Sequence, residues 1–436
     1  MTSQKLLAQP VHTWPQGIHY LTLPDLDTAK RLFGTGDQLV RQRKSEVFYR
    51  GLEARSRMPQ GMHDRCEEYV FADGKPSGRD LAGLARHLPL HYKVIRLHTH
   101  CVTRGEMWDL TLWREERWPD LDPLEELYVF AMVDHLLLEE QARVLVQGNV
   151  LGFVCNVLER LHPQRCAELV SGSRYDIGIF PTPFSVDRNT SYNTGNRGAQ
   201  GKPGAHGCDS PPVEVTGSVF GTYAPSLSEA IAANSHGQPG EDGAHGGHGL
   251  RGPNGGMSRF ADIRIGKLKG FLHNPLRLYS QAGQGAPGGD GGNGGNGGNG
   301  GAGRDHVQAV NAVIPAGNGG DGGNGGNGGN GGNGGISSNI FLELHPGDIP
   351  QVQTLSIPSD GGEPGKGGMG GEGGRKGHGG TGVGPENGVD GTDGQPGKEG
   401  SPGTPGKSRP GANIFLFEVK QRPEFSGVAQ IISQDL

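Results

Sequence analysis

From residue 195 onward, glycine keeps a period of three. The first block runs from Gly195 to Gly207, the second from Gly237 to Gly255 and the third from Gly285 to Gly303. The fourth runs from Gly317 to Gly335, the fifth from Gly362 to Gly380 and the sixth from Gly388 to Gly406. A three-residue repeat fits one extended backbone helix, left-handed with about 3.1 Å rise per residue and no internal hydrogen bonds. Its N–H and C=O groups point outward and need partners. Glycine at every third place leaves one face without Cβ, against which another backbone can approach.

Collagen would meet this period with long runs rich in proline, about 15–20% or more. Here each block lasts only five to seven triplets, and the GGN blocks are almost free of proline. The phase also survives substitution, and short apolar segments suited to strands lie between the blocks, which argues against a flexible linker. Those segments are VEVTGSVFGTY, FADIRIGKLKGF, HVQAVNAVI, NIFLELHP, VQTLSI and NIFLFEV. The expected fold is therefore mixed: an N-terminal α/β domain, then a bundle of about six polyglycine II left-handed helices interleaved with short β-strands. Domain limits are set at 1–185, 186–420 and a tail, 421–436. The structural glycine frame is represented by Gly237, Gly288, Gly291, Gly294, Gly320, Gly323, Gly326, Gly365, Gly391 and Gly403. Blocks three and four carry glycine at two of three places and are expected inside. Their remaining places hold a polar ladder of Asn293, Asn296, Asn299, Asn324, Asn327 and Asn330.

Over residues 190–420 this layout resembles glycine-rich sandwich proteins. It is similar to the N-terminal domain of the Obg GTPase family, to tail-fibre adhesins of T-even-like phages with GGNGG tracts, and to the snow flea type of antifreeze protein. The resemblance is architectural and implies packed glycine helices on a β-structured base. The GTP-binding motifs of the Obg family are absent, so it implies no GTPase. Residues 1–185 carry no resemblance.

That N-terminal part reads as mixed α and β. Asp25 is placed to cap a helix ending at Phe33, with Gly34 as its stop. Asp122-Pro123-Leu124-Glu125 reads as a helix start, placing Leu124, Leu127, Tyr128, Ala131 and Leu138 on one face. RVLVQ, Gly148-Asn149 and VLGFVCNVL read as a hairpin, and YDIGIFPTPFSV as a further strand. The basic run Arg41, Arg43, Lys44, Arg50, Arg55, Arg57 reads as a solvated helix face, with Glu46 and Glu53 between.

Chemical signatures are few. GSPGTPGKS at 400–408 ends like a phosphate loop, but its first glycine is out of register and a strand follows where a helix is needed. In the glycine phase it is three ordinary triplets, and Lys407 faces solvent. A strand over VIRLHTHCV would put Arg96, His98 and His100 on one side, which makes His98 and His100 weak metal candidates. GGAGRDHVQ fits a calcium nonapeptide once, with Asp305 as its acid, but that roll needs stacked repeats. No catalytic signature appears, and no cofactor or resident metal is expected. The five cysteines form no CxxC pair, so neither a zinc ribbon nor a disulfide framework is expected.

The formal charge of −6 argues against a nucleic-acid binder. No run of 18 apolar residues suggests a membrane span, and no secretory signal is visible. The compartment is left open, an extracellular fibre or a virion included. The expected function is a non-enzymatic structural protein that self-assembles into a fibre or other ordered array. The contacts would come from the N-terminal domain or the tail FSGVAQIISQDL, making a homo-oligomer or filament. The alternatives are an adhesin at a fibre or phage tail tip, with a cell-surface receptor as partner, and a calcium-binding repeat protein. An ice-binding face would need regular threonine rows, which are missing.

Overall fold

Strands here find their neighbours in other turns of the chain rather than in the next segment. The computed structural model describes residues 6–35, 37–50, 66–72, 84–112, 126–161, 175–181, 198–210, 216–218, 221–223, 236–304, 315–381 and 388–419. One sheet takes β1 (Gly17–Leu23), β2 (Leu90–Val102), β4 (Leu127–Leu138), β6 (Val150–Arg160), β10 (Ala261–Lys269), β12 (Ile340–Leu344) and β14 (Ile414–Glu418), in that spatial order. The other takes β13 (Val352–Ile357), β11 (Leu276–Gln281), β7 (Ile177–Phe180), β5 (Arg143–Gln147) and β3 (Met107–Asp109). A small separate pair joins β8 (Thr216–Ser218) to β9 (Gly221–Tyr223). Apart from the antiparallel β1–β2 edge, every pairing in the two large sheets is parallel.

From β2 onward the chain alternates between the sheets, so it coils, each turn laying one strand on each layer. Val144, Val146, Ile177, Ile179, Leu276 and Leu278 face Val129, Leu151, Phe153, Ile263, Ile340 and Leu342 across the interior. The outer face of the larger sheet is covered by α1 (Leu26–Phe33), α2 (Gln38–Arg50) and α3 (Glu67–Phe71). Rings line up there: Phe33 stacks on Tyr92 at 4.3 Å and Tyr92 on Tyr128 at 4.6 Å. Phe260, Phe341 and Phe417 continue the row at 5.1 and 5.2 Å.

This overturns the expected fold class. The regular structure is a pair of largely parallel sheets with few helices. Residues from both sides of position 185 build them, so an α/β domain followed by a bundle of polyglycine II helices is not what forms. The described glycine tracts are neither α-helix nor β-strand. They are extended excursions of the coil, one out-and-back pair after each of β7, β11 and β13.

Four local expectations also change. Residues 127–138 are strand β4 and not a helix; its stretch YVFAMV is apolar without a break because a covered parallel strand is buried on both faces, and only Asp134 and His135 interrupt the run. Residues 122–125 lie outside the described residues. β5 and β6 do not form a hairpin: Gly148, at φ +69°, carries the chain from one layer to the other. β11 is a strand that its polar sequence LRLYSQ concealed. Finally, Lys44 in α2 is fully buried, so the basic run is not simply a solvated face. HVQAVNAVI lies outside the described residues.

From tract 2 onward the excursions keep the register of the sheets, whereas tract 1 lies 93 residues from tract 3 (Asp209 with Ala302) although β7 and β11 pair 101 apart (Ile177 with Leu278). β10 and β12 pair 79 residues apart (Ala261 with Ile340), β12 and β14 pair 74 apart (Ile340 with Ile414), and β11 and β13 pair 76 apart (Leu276 with Val352). Out in the glycine tracts the same separations return: 79 for Asp242–Asp321, 74 for Asn318–Thr392 and 76 for Asp290–Lys366. The outgoing tracts continue the smaller sheet's layer and the returning tracts the larger one's.

Backbone contact explains why these places are glycine. A Cβ built on Gly323 would lie 2.1 Å from the Ala244 carbonyl oxygen, and one on Gly326 would lie 1.9 Å from that of Gly247. Gly323→Ala is expected to lower stability by about 2–3 kcal/mol through overpacking against rigid backbone. Exposed Lys398→Ala should stay within about 0.5 kcal/mol. Denaturant midpoints of the two variants check the contrast.

Candidate functional site

The tracts form a hydrogen-bonded slab. We number them by described residues: tract 1 (198–207), tract 2 (237–255), tract 3 (285–303), tract 4 (317–335), tract 5 (362–380) and tract 6 (388–406). Consecutive tracts run antiparallel, joined by glycine N–H to carbonyl bonds: Gly320 to Gly298, Gly323 to Gly295 and Gly326 to Gly292, each 2.8 Å. Gly365 donates to Gly329 at 2.8 Å, Gly391 to Gly377 at 3.1 Å and Gly403 to Gly365 at 2.9 Å. Tracts two apart run parallel: Gly288 donates to Glu363, Gly291 to Lys366 and Gly294 to Met369, at 2.8–2.9 Å. Gly237, at the start of tract 2, donates to Pro315 at 3.3 Å. Tracts 3 and 4 therefore each bond to four others, and the edge tracts to fewer.

The asparagines act on main chain rather than on one another. Asn293, Asn296 and Asn299 each present Oδ1 to an N–H of tract 5: Met369 at 3.1 Å, Glu372 at 3.0 Å and Arg375 at 2.9 Å. Asn324, Asn327 and Asn330 do the same toward tract 6, accepting from Lys398, Ser401 and Thr404 at 2.8–2.9 Å. The parallel step leaves one N–H per triplet without a carbonyl, and an amide oxygen fills that place. Between tracts 2 and 4 the acceptors differ: Asp242 Oδ1, His245 Nδ1, His248 Nδ1 and Asn254 Oδ1 receive Asp321, Asn324, Asn327 and Asn333. Sequence reasoning did not include these two histidines; their place three residues apart, in phase with the glycines, is the signal that could have found them.

A second cluster lies under the helices, where none was expected. Lys44 Nζ bonds Asp262 at 2.8 and 3.0 Å and also reaches Glu343. Arg264 bonds Asp262 at 2.8 Å and donates to the carbonyls of Phe33 at 2.8 Å and Gly34 at 3.3 Å. Two cations and two anions thus neutralise one another while all four are buried. Burial pushes the Asp262 carboxyl up, but Arg264 and Lys44 outweigh it and hold it below the ordinary value. Burial likewise opposes the Arg264 charge, and Asp262 and Glu343 more than restore it. The cluster fastens α1 and α2 onto β10 and β12.

The weak metal candidates separate. His98 Nδ1 meets Asp134 at 2.6 Å on the exposed side, where Arg96 holds the same carboxylate at 2.8 Å. His100 lies against Trp108, with ring centroids 4.5 Å apart, and burial lowers its pKa. Strict alternation fails here: inward residues come three apart, as Val133 and Leu136, Cys155 and Leu158, Ile265 and Leu268. Asp305 lies outside the described residues. Among the described residues no three His, Cys, Asp or Glu side chains gather as metal ligands. Lys407 is exposed; its N–H donates to Asn333 Oδ1 at 2.9 Å, and its carbonyl accepts from Gly334.

Two outcomes are expected. Lys44→Met leaves two buried carboxylates facing one arginine and should lower stability by about 3–5 kcal/mol, whereas exposed Arg43→Ala should change it by less than about 0.5 kcal/mol; denaturation curves measure both. The Gly379 N–H and Lys376 hold the Asp390 carboxyl down at about 2. Its folded value is depressed, so what it contributes is whole above the unfolded value of about 3.9 and is lost as pH falls through about 2. A carboxyl carbon titration by NMR should give that low midpoint, and Lys376→Ala should raise it. Set against family models, curated proteins and solved structures, the chain finds no match.

Proposed function

We propose that this chain is a non-enzymatic structural protein, a stiff slab that self-assembles into a fibre or another ordered array. The observation that carries the reading is the register shared by sheets and tracts 2 to 6, 79, 74 and 76 residues in both. A body whose strands and excursions keep one register has no hinge between base and tip, which suits a load-bearing or spacing role. The charged groups support the same reading. The buried quartet around Lys44 is neutralised internally and is committed to fastening helices. Contacts between copies would come from residues 1–185 or from the C-terminal tail.

One observation favours a second reading, an adhesin. Residues that flank the three far connections lie side by side: Ser210 donates to Ala302, Gly303 to His378, and Ala316 to Val389. Three connections anchored at one end of a slab would make a contact surface for a cell-surface receptor. The calcium-repeat reading rests on Asp305 alone and gains nothing from the described residues.

Electron microscopy of the purified full chain tests the assembly reading. Filaments or ordered sheets that form without a partner are expected. Particles that stay single and monodisperse across a wide concentration range would overturn it, and single particles that bind cells would favour the adhesin.

A further inference from the structure

The slab has two edges, and they differ chemically. Within each parallel row most steps use one pattern. The residue after a ladder residue donates its N–H to a ladder carbonyl of the next turn, as Gly319 does to Thr392. In return, the next turn's ladder N–H goes to the earlier side chain, as Thr392 does to Asn318.

At tracts 5 and 6 this pattern is only partly available. Of the donor places, Pro364, Pro396, Pro402 and Pro405 have no N–H, whereas Gly367, Gly370, Gly373, Asp393, Glu399 and Ser408 keep theirs. Two other donors there are already taken within the edge: Gly379 by Asp390 Oδ1 at 2.9 Å and Lys376 by Asp393 Oδ1 at 2.8 Å. Among the ladder places, Lys366, Arg375, Lys398 and Lys407 have side chains that accept no hydrogen bond, while those of Glu372, Gln395, Ser401 and Thr404 can.

At tract 2 it is open. Asp242, His245, His248, Arg251 and Asn254 are exposed and stand at five successive ladder places. Among the described residues nothing bonds to their N–H or C=O groups, although three-residue spacing gives each the setting that tracts 4 and 6 satisfy one and two turns later.

We propose that this open edge of tract 2 is a docking surface for an extended glycine-rich segment of a partner chain. The segment would place glycine after each asparagine or aspartate, as in Gly-Gly-Asn repeats. Its glycine N–H groups would donate to the carbonyls of Asp242, His245, His248, Arg251 and Asn254, and its amide oxygens would accept their N–H groups. The occupant is argued from the molecule itself, which makes the same contact between tracts 2 and 4 and again between tracts 4 and 6. The opposite edge is poorer, because Pro396, Pro402 and Pro405 remove donors along tract 6, so a segment laid there gains fewer bonds than one laid on tract 2. This stands on the bonding pattern and not on the scaffold reading.

The probe is a synthetic peptide with the sequence of residues 317–335, GNGGDGGNGGNGGNGGNGG, added to the full-length protein at up to about 1 mM. Amide exchange is read residue by residue by NMR. The amides of Asp242, His245, His248, Arg251 and Asn254 are expected to slow by about tenfold or more, while those of Asp393, Glu399 and Ser408 keep their rates. A peptide carrying proline at the glycine after each asparagine loses the donors and should not protect. Unchanged exchange at tract 2, equal protection at tract 6, or protection by the proline peptide would each overturn the proposal. Because exchange is read at single amides, this outcome is independent of whether the protein forms filaments.

Discussion

An extended chain with no bonds inside itself must place every N–H and C=O on a neighbour, and the whole molecule is arranged to supply those neighbours. In the body the requirement is met by parallel ladders between turns of the coil. In the excursions it is met by glycine carbonyls on one side and asparagine oxygens on the other. From tract 2 onward the two solutions join smoothly because the tracts share the register of the sheets, so one displacement per turn serves both. Once that displacement is set, the packing of glycine backbones and the places of the asparagines follow.

The base contributes a different kind of order. Its interior is ordinary apolar packing between two layers, but its outer face carries a neutral quartet of charges beneath aromatic rows. Replacing such a quartet with apolar residues of equal volume would often leave stability unchanged or improved. What it supplies is a particular seating. Arg264 reaches the carbonyls at the end of α1 while Lys44 reaches down from α2, so both helices are fixed on the same two strands.

Much was legible from residues alone, and the failures share a cause. Asp25 caps α1 by accepting from Thr28 N–H at 2.7 Å, and strands over 261–269, 340–344, 352–357 and 414–418 lie where apolar segments placed them. These are local properties, fixed by a few adjacent side chains. The two-layer coil was not legible, because nothing in RVLVQGNVLGFVCNVL distinguishes a turn that pairs two strands from one that sends them to different sheets. Nor does the sequence around Lys44 show a buried lysine, since its acids stand 218 and 299 residues away. In the tracts the three-residue phase was legible. Missing were the excursions' shared register with the sheets and the recruitment of His245 and His248 as acceptors. Helical periodicity misled at 127–138, where a run buried on both faces contains every period at once.

The shared register also acts like a reading frame. A tract can gain or lose length only in whole triplets, since one or two extra residues would turn its glycines away from every neighbouring backbone at once. A change in an outgoing tract also has to be matched in the one that returns, or the pair would re-enter the next strand out of step. The slab can therefore vary in reach by steps of six residues per turn while its thickness and its base stay the same. Its length is adjustable in a way that its cross-section is not.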